Sequence, residues 1–248
     1  SGTPIENNTL ELWSLFDFLM PGFLGTRSWF QREILLPVER DRDEDKIDLL
    51  KRMIFPFVLR RKKEEVEKEL PEKTEIVSTL RMDDRQAAAY GETARMYRET
   101  LEHEIDAKGV PGASMKIIEA MLRLRQICLF PGLADEEYDE QAVPSAKFDH
   151  LRELLDDILA ENHKVLIFSQ FVQVLERIRR YCRDQDIRFS YLDGSMAMKD
   201  RENMVKRFQE DDDTRVFLLS LKAGGVALNL TAADYVIIFD PWWNPAVE

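Results

Sequence analysis

The sequence predicts an α/β protein in which a doubly wound parallel sheet occupies the last hundred residues and a mainly helical segment precedes it. Three observations carry this. From Ser145 onward short apolar runs alternate with helical patterns of about 10 to 15 residues, the rhythm of parallel βαβ units. From Asp84 to about Ile105 and again from Ser114 to Phe130 the pattern is helical. An acidic, apolar-poor stretch from Asp135 to Pro144, read as a linker or mobile loop, marks the change of organisation near residue 146.

In the first part, ELWSLFDFLM (Glu11 to Met20) places Leu12, Leu15, Phe16 and Leu19 at helical spacing and runs into Pro21-Gly22, a stop signal. The charged stretch ERDRDEDK reads as a loop before the segment from Ile47 to Val58, and Pro71 ends the helix that RRKKEEVEKEL would form. TEIVSTLRM (Thr74 to Met82) alternates well enough to be a strand. Helical patterns follow from Asp84 to about Ile105 and from Ser114 to Phe130, with Pro111-Gly112 between them, which makes this stretch an insertion or bridge. Ser145 caps a helix to about Asn162 whose apolar face is Phe148, Leu151, Leu154, Leu155, Ile158 and Leu159. KVLIFSQ (Lys164 to Gln170) is a continuous apolar run, as expected of a strand buried on both faces. Phe171, Leu175, Ile178 and Tyr181 then recur at helical spacing. FSYLDG is the second strand, Lys199 to Gln209 a helix, VFLLSL the third strand with a short helix behind it, and YVIIFD the fourth.

Composition narrows the function classes. With 248 residues, 44% of them hydrophobic, the chain can bury a core in one large domain or two modest ones. No apolar run approaches the roughly 18 to 20 residues of a membrane span, and no basic-then-apolar leader is present, so the expectation is a soluble, cytoplasmic protein. Cys128 and Cys182 sit in apolar helical patterns rather than CxxC spacing and read as reduced structural thiols. The three histidines, His103, His150 and His163, are scattered, and the acidic triplets at 43–45 and 135–137 follow no apolar strand, so no metal site is expected. A net charge of −12 removes any global attraction to nucleic acid, and such a site must be a local patch. Arg60-Arg61-Lys62-Lys63 is one candidate, although charge alone reads equally as a solvated helix start balanced by Glu64, Glu65, Glu67 and Glu69. The abrupt start at Ser1-Gly2-Thr3-Pro4 and the stop just after a tryptophan pair suggest a piece of a longer protein.

In doubly wound sheets the functional groups gather at the carboxyl ends of the strands. Here those ends are Ser169-Gln170, Asp193-Gly194-Ser195, the stretch from Ser220 to Gly225, and the stretch from Asp240 to Pro245. Gly224-Gly225 has no Cβ in the way, presents N–H groups before a helix start, and has Lys222 beside it, which suits a phosphate. A tight strand-to-helix turn with no ligand fits the pair as well. Trp242 and Trp243 are adjacent and cannot both point into a core, so at least one offers a flat face to nucleic-acid sugars and bases, or packs under a loop against Pro245. GGxxxN lacks the spacing and the acidic partner of a dinucleotide fingerprint, and no GxxxxGK[ST] phosphate loop occurs anywhere. No nucleophile triad can be assembled.

Six blocks run in order along essentially the whole chain: GTPIENNTLELWSLFDFL, FVLRRKKEEVEKELPEK, LRQIC followed by a proline, KVLIFSQ, YLDGS with Arg201 downstream, and LLSLKAGGVALNLTAADYVIIFDPWWNP. Together they resemble the Snf2 family of superfamily-2 ATPases, double-stranded DNA translocases and remodellers, and the DPWWNPAVE ending is most similar to bacterial members. The resemblance implies RecA-like lobes. Residues 1–82 would be the end of the first lobe with a helical protrusion and connection, 83–145 a helical insertion, and 146–248 the second lobe, cut before motif VI. It implies ATP and Mg2+ as cofactors of the full-length enzyme, with none bound by this segment alone. The phosphate loop, the DEAH-type motif and the motif VI arginines would lie outside, so the segment should hold no catalytic residue and be inactive by itself.

The partner implied is double-stranded DNA, with a DNA-bound protein as the object remodelled, and a monomer associated with the bacterial nucleoid. Gly2 and Thr3 match the motif that couples nucleotide state to DNA grip. Ser169, Gln170, Ser220, Lys222, Gly224, Gly225, Trp243 and Asn244 match positions that face the tracking strand. Arg60, Arg61 and Lys62 match the FVLRRxK signature at the lobe connection. Ala227 departs from the usual glycine of AGGxGLNL, and Leu129-Phe130 depart from Asn-His. Two alternatives stay open: a strand-separating superfamily-2 helicase acting on DNA or RNA, and a catalytically degenerate lobe serving as a DNA- or partner-binding module.

Overall fold

The computed structural model describes residues 4–5, 8–59, 61, 73–135, 144–224 and 228–241, and for Lys222 and Gly224 the backbone alone. The chain divides into two compact units at Val77 and Ser78.

Side-chain caps set out the first unit. Asn8 starts α1 (Thr9–Leu19) by accepting the Leu10 N–H at 3.0 Å. Thr26 accepts the Trp29 N–H at the head of a helical run, α2, in which Arg27–Phe30 and Leu36–Glu39 flank a π turn, Gln31–Leu35. Asp43 starts α3 (Glu44–Ile54) by accepting the Lys46 N–H at 3.1 Å. Each cap satisfies a donor that a helix start leaves unpaired, worth about 1 kcal/mol. Leu12 and Phe16 of α1 bury against Leu24, Phe30, Ile34 and Leu50. The expected ERDRDEDK loop is therefore shorter than its charge suggests: α2 runs through Glu39, and Asp43 converts the acidic remainder into a helix start.

The strand expected over residues 74–82 does not form. Ile76 and Val77 are 82% and 83% exposed, and no described segment pairs with this stretch. Alternation supplies one apolar face but not the hydrogen-bonded neighbour that makes a strand stable. RRKKEEVEKEL and the 136–143 part of the acidic linker lie outside the described residues, Arg61 excepted.

In the second unit, the Asp83 carboxylate accepts the Arg85 and Gln86 N–H groups at the head of the helical run Asp84–Leu129. The run breaks at Gly109, whose φ of 70° and ψ of 170° suit glycine alone, leaving α4 (84–108) and α5 (110–129). Pro111 falls in the first turn of α5, where its missing N–H costs nothing. Gln86 on the Ile127 carbonyl (2.9 Å) and Tyr97 on Glu119 (2.9 Å) pair the arms in antiparallel sense. The break between the two expected helices is thus narrower than the sequence pattern suggested.

Ser145 caps α6 (Ala146–Ala160), as expected, and its hydroxyl donates to the Leu129 carbonyl. The sheet then follows in order: β1 (Val165–Ser169), α7 (Val172–Asp184), β2 (Phe189–Leu192), α8 (Met198–Glu210), β3 (Val216–Ser220), a helical turn α9 (Leu221–Gly224) and β4 (Tyr235–Ile238). The strand order is β2-β3-β1-β4, all parallel. On one face α6 and α7 pack Leu151, Leu155, Val174 and Ile178 over Val165, Ile167, Val216 and Leu218. On the other, Phe208 of α8 covers Leu166, Phe217 and Leu219. Residues alternate between two covered faces, which is why β1 and β3 read as unbroken apolar runs. Burying Phe217 or Leu218 fully contributes roughly 1.5–3 kcal/mol each. Cys182 lies in the first layer as a free thiol, pushed up to about 12 by burial, and Cys128 is also free. No helix among the described residues is long and apolar enough to cross a membrane.

Gln86 is fully buried and joins three helices, since its Oε1 also accepts the Ala146 N–H at 3.2 Å. Gln86→Ala strips the buried Ile127 carbonyl of its donor and is expected to destabilise the second unit by about 1–3 kcal/mol. A urea titration measures this, and an unchanged midpoint would mean that the joint is not structural.

Candidate nucleic-acid interface

Parallel pairing fixes where the strand ends fall. Ser169 pairs with Ser220, Leu192 with Leu219 and Phe168 with Ile238, so all four carboxyl ends lie on one rim. The residues after them are Gln170, Asp193, the Leu221–Gly224 turn and Asp240.

Along β1, Ser169 is fully buried; its Oγ accepts the Phe171 N–H at 3.1 Å and shapes the turn into α7. The next N–H, that of Gln170, donates to Asp240 Oδ2 at 3.1 Å, bridging the ends of β1 and β4. Asp240 is only 2% exposed, and burial pushes its carboxyl above the usual range against the pull of donors from Ser169 and Gln170 and the nearby Arg125 charge. Asp240 Oδ1 and Gln170 Nε2 are both buried and have no hydrogen-bond partner among the described residues. The Arg125 guanidinium, from α5, donates to the Pro241 carbonyl at 2.7 Å.

At the end of β3, the Ser220 Oγ accepts the Ala223 N–H at 3.3 Å, and the Ala223 carbonyl accepts from Arg201 of α8 at 2.8 Å. These two bonds pin the turn that carries Lys222. The helical turn takes in Gly224, the first glycine of the pair, whereas the sequence suggested a glycine pair placed ahead of a helix. After β2, Asp193 Oδ1 accepts from the Ser195 N–H (2.8 Å) and hydroxyl (2.6 Å), and Oδ2 from the Tyr191 hydroxyl (2.7 Å). Ser195 and Tyr191 hold the Asp193 carboxyl below the usual range, while burial pushes the Tyr191 phenol up. The Arg179 guanidinium lies 5.1 Å from the centre of the Tyr191 ring and pairs with Glu176 at 2.9 Å.

The structure thus gathers Ser169, Gln170, Ser220 and the backbones of Lys222 and Gly224 on one rim. The Ser169 and Ser220 hydroxyls are committed to the protein itself, shaping a rigid edge rather than free reactive groups. Arg61 is exposed in the first unit. Gly2, Thr3, Arg60, Lys62, Gly225, Ala227, Trp243 and Asn244 lie outside the described residues. Leu129 and Phe130 are core residues, 1% and 7% exposed, and the Phe130 ring lies 5.1 Å from that of Phe148. An apolar pair suits that environment. Sequence reasoning passed over Arg125 and the burial of Asp240. Their signals were an acid placed directly after an apolar strand, and an arginine inside the LRQIC block.

Residues 1–133 match the family model of the SNF2-related domain, and residues 146–248 that of the helicase conserved C-terminal domain. The Bacillus subtilis protein YwqA, provisionally named an ATP-dependent helicase/translocase, is 40% identical over 100% of this chain and 27% of its own length. The ATP-dependent DNA helicase DDM1 of Arabidopsis thaliana is 33% identical over 100% of this chain and 35% of its own. Among solved structures, the Sulfolobus solfataricus SWI2/SNF2 ATPase core in complex with dsDNA is similar with a TM-score of 0.62 and 32% identity, over 99% of this chain and 52% of that one. The chain therefore spans about a quarter to a third of the length of these curated relatives.

The depressed Asp193 carboxyl sets a pH dependence. Its stabilising contribution is fully present above the ordinary aspartate value of about 3.9 and is lost as pH falls through the lower folded value. Asp193→Asn should therefore be less stable than wild type near neutrality, with the gap closing on acidification below about pH 4. Urea midpoints across that range test it, and a gap independent of pH would overturn the assignment.

Proposed function

We propose, from the premise that the chain belongs to the SNF2-related family of helicase-like ATPases, that it serves an ATP-driven enzyme that translocates on double-stranded DNA. The observation that carries this reading is the single rim of parallel strand ends, in a chain that aligns almost end to end with an ATPase core solved on duplex DNA. That the chain carries an SNF2-related domain and a helicase conserved C-terminal domain rests on the family matches alone.

In this reading the rim grips one DNA strand by its backbone. The amides of Gly224 and Gly225 and the Lys222 cation engage phosphates, contacts that position without reading sequence. Ser220 and Ser169 act indirectly: one fixes the turn bearing Lys222, the other the turn bearing Gln170. Trp243 and Asn244 extend the contact beyond β4. Gly2 and Thr3 relay nucleotide state to the DNA grip, and Arg60, Arg61 and Lys62 serve the connection between lobes. Hydrolysis elsewhere in the enzyme opens and closes the two lobes and advances this grip along the duplex.

ATP supplies the free energy for that cycle, and Mg2+ would neutralise its phosphates. The donor set of this chain does not fit either group alone. The sequence contains no phosphate loop, and among the described residues no three His, Cys, Asp or Glu side chains are placed to hold a metal. In this reading the segment by itself turns over no ATP, and no chemical step is assigned to its residues.

The test is ATP hydrolysis by the full-length enzyme with duplex DNA, single-stranded DNA and RNA. Duplex should stimulate most. Equal stimulation by single strands or RNA would assign the protein to strand separation, and absent hydrolysis would assign it to a binding module. Lys222→Ala should weaken DNA stimulation more than basal turnover, uniformly across duplex sequences, and should reduce the salt slope of DNA binding by about one unit. An unaltered salt slope would remove Lys222 from the phosphate contacts.

A further inference from the structure

We infer that Arg125 and Asp240 form a clamp that positions the rim segment after β4, and that through Arg125 this clamp ties the rim to the α4–α5 hairpin. The inference rests on the translocase reading and adds two positioning residues to it.

The segment in question is Phe239-Asp240-Pro241, which leads directly into Trp242-Trp243-Asn244. It is held from two sides. From β1, the Gln170 N–H is bound by the Asp240 carboxylate at 3.1 Å. From α5, the half-buried Arg125 guanidinium reaches across 116 positions of sequence to the Pro241 carbonyl at 2.7 Å. Lys147 of α6 adds a longer contact, 3.5 Å, to the Phe239 carbonyl. Three separate elements therefore converge on three consecutive backbone positions. A turn that merely had to close would not require this, because ordinary loop ends are satisfied locally or by water.

Two features argue that the hold does more than pack. A buried carboxylate is costly unless its oxygens are paired, yet Asp240 Oδ1 has no partner among the described residues, although Asp240 is nearly inaccessible. The adjacent Gln170 Nε2, a donor of complementary sign, is likewise buried without one. The two residues are joined by the Gln170 N–H, and the Gln170 carboxamide also lies close enough to pull the Asp240 carboxyl down against its burial. Second, Arg125 belongs to α5, whose base is fixed to the sheet unit by Gln86 on Ile127 and Ala146, and by Ser145 on Leu129. Arg125 therefore carries the hairpin's position to the rim.

The test uses the full-length enzyme with a blunt linear duplex, and reads three quantities: basal ATP hydrolysis, the DNA concentration giving half-maximal stimulation, and the urea midpoint. Arg125→Ala should raise the half-saturating DNA concentration by roughly tenfold or more, the size of one charge-assisted hydrogen bond, with basal turnover unchanged. Arg125→Lys should recover part of the loss, because a cation can still reach the carbonyl. Asp240→Ala should weaken DNA response in the same sense, and the double variant should lose less than the product of the two single losses. Should Asp240→Ala lower the urea midpoint too far to assay, Asp240→Asn, which keeps an oxygen for the Gln170 N–H, takes its place. A wild type stimulated by duplex, with Arg125→Ala indistinguishable from it, overturns the clamp alone. Equal falls in basal and stimulated rates, following the urea midpoint, reduce both residues to packing and also overturn it. A wild type that duplex does not stimulate overturns the translocase reading, and the clamp with it.

Discussion

Every strand in the sheet runs the same way, and the rest of the second unit follows from that direction. A parallel strand cannot be joined to its neighbour by a tight hairpin, so each must be followed by a crossover, and α7, α8 and the 221–234 stretch are those crossovers. The crossovers cover both faces, so that β3 is buried throughout and β1 at every position but Phe168. They also begin on one edge only. The register that sets Ser169 beside Ser220 thereby brings residues some fifty positions apart onto a common rim, with no further interaction needed to assemble it.

What the sheet does not supply is precision at that rim, and long-range polar contacts provide it. Gln170 to Asp240, Arg201 to Ala223 and Arg125 to Pro241 each join a strand end to an element distant in sequence. Each ends on a backbone group or comes from one, so the path of the main chain is fixed more firmly than any single side chain. Under the proposed function, in which the rim follows a uniform, repeating polyanion, that arrangement is an advantage, because recognition would be of spacing and charge rather than of base identity.

The sheet region from Ser145 onward could be read almost element by element because its signals are local: a serine cap before α6, apolar runs of strand length, and punctuation by Asp193-Gly194 and Asp240-Pro241. The first 82 residues were harder. TEIVSTLRM carries the alternation of a strand, but strand formation depends on a partner that alternation cannot reveal, and Ile76 and Val77 stay in solvent. ERDRDEDK looked like a loop by charge, yet an acidic run is also what a helix N-terminus favours once Asp43 caps it. At the rim, the sequence located Ser169, Gln170 and Ser220 correctly on strand ends but not the inward turn of the two serine hydroxyls, which depends on atoms two or three residues away in folded geometry. Arg125 and Asp240 were invisible as a pair for the opposite reason, being far apart in sequence.

The reversal at Gly109 has an architectural consequence. Because the hairpin turns on one residue and its fixed contacts lie at the other end, around Gln86, Ile127 and Leu129, the tip is the place where this chain could grow. Residues added there would lengthen two arms or a surface loop at a modest entropic cost, without moving a strand or shifting the rim. Residues added near Ile127 would displace Arg125 and break the joint with α6. The fold thus separates a region open to elaboration from a region in which a single inserted residue would be felt at the rim.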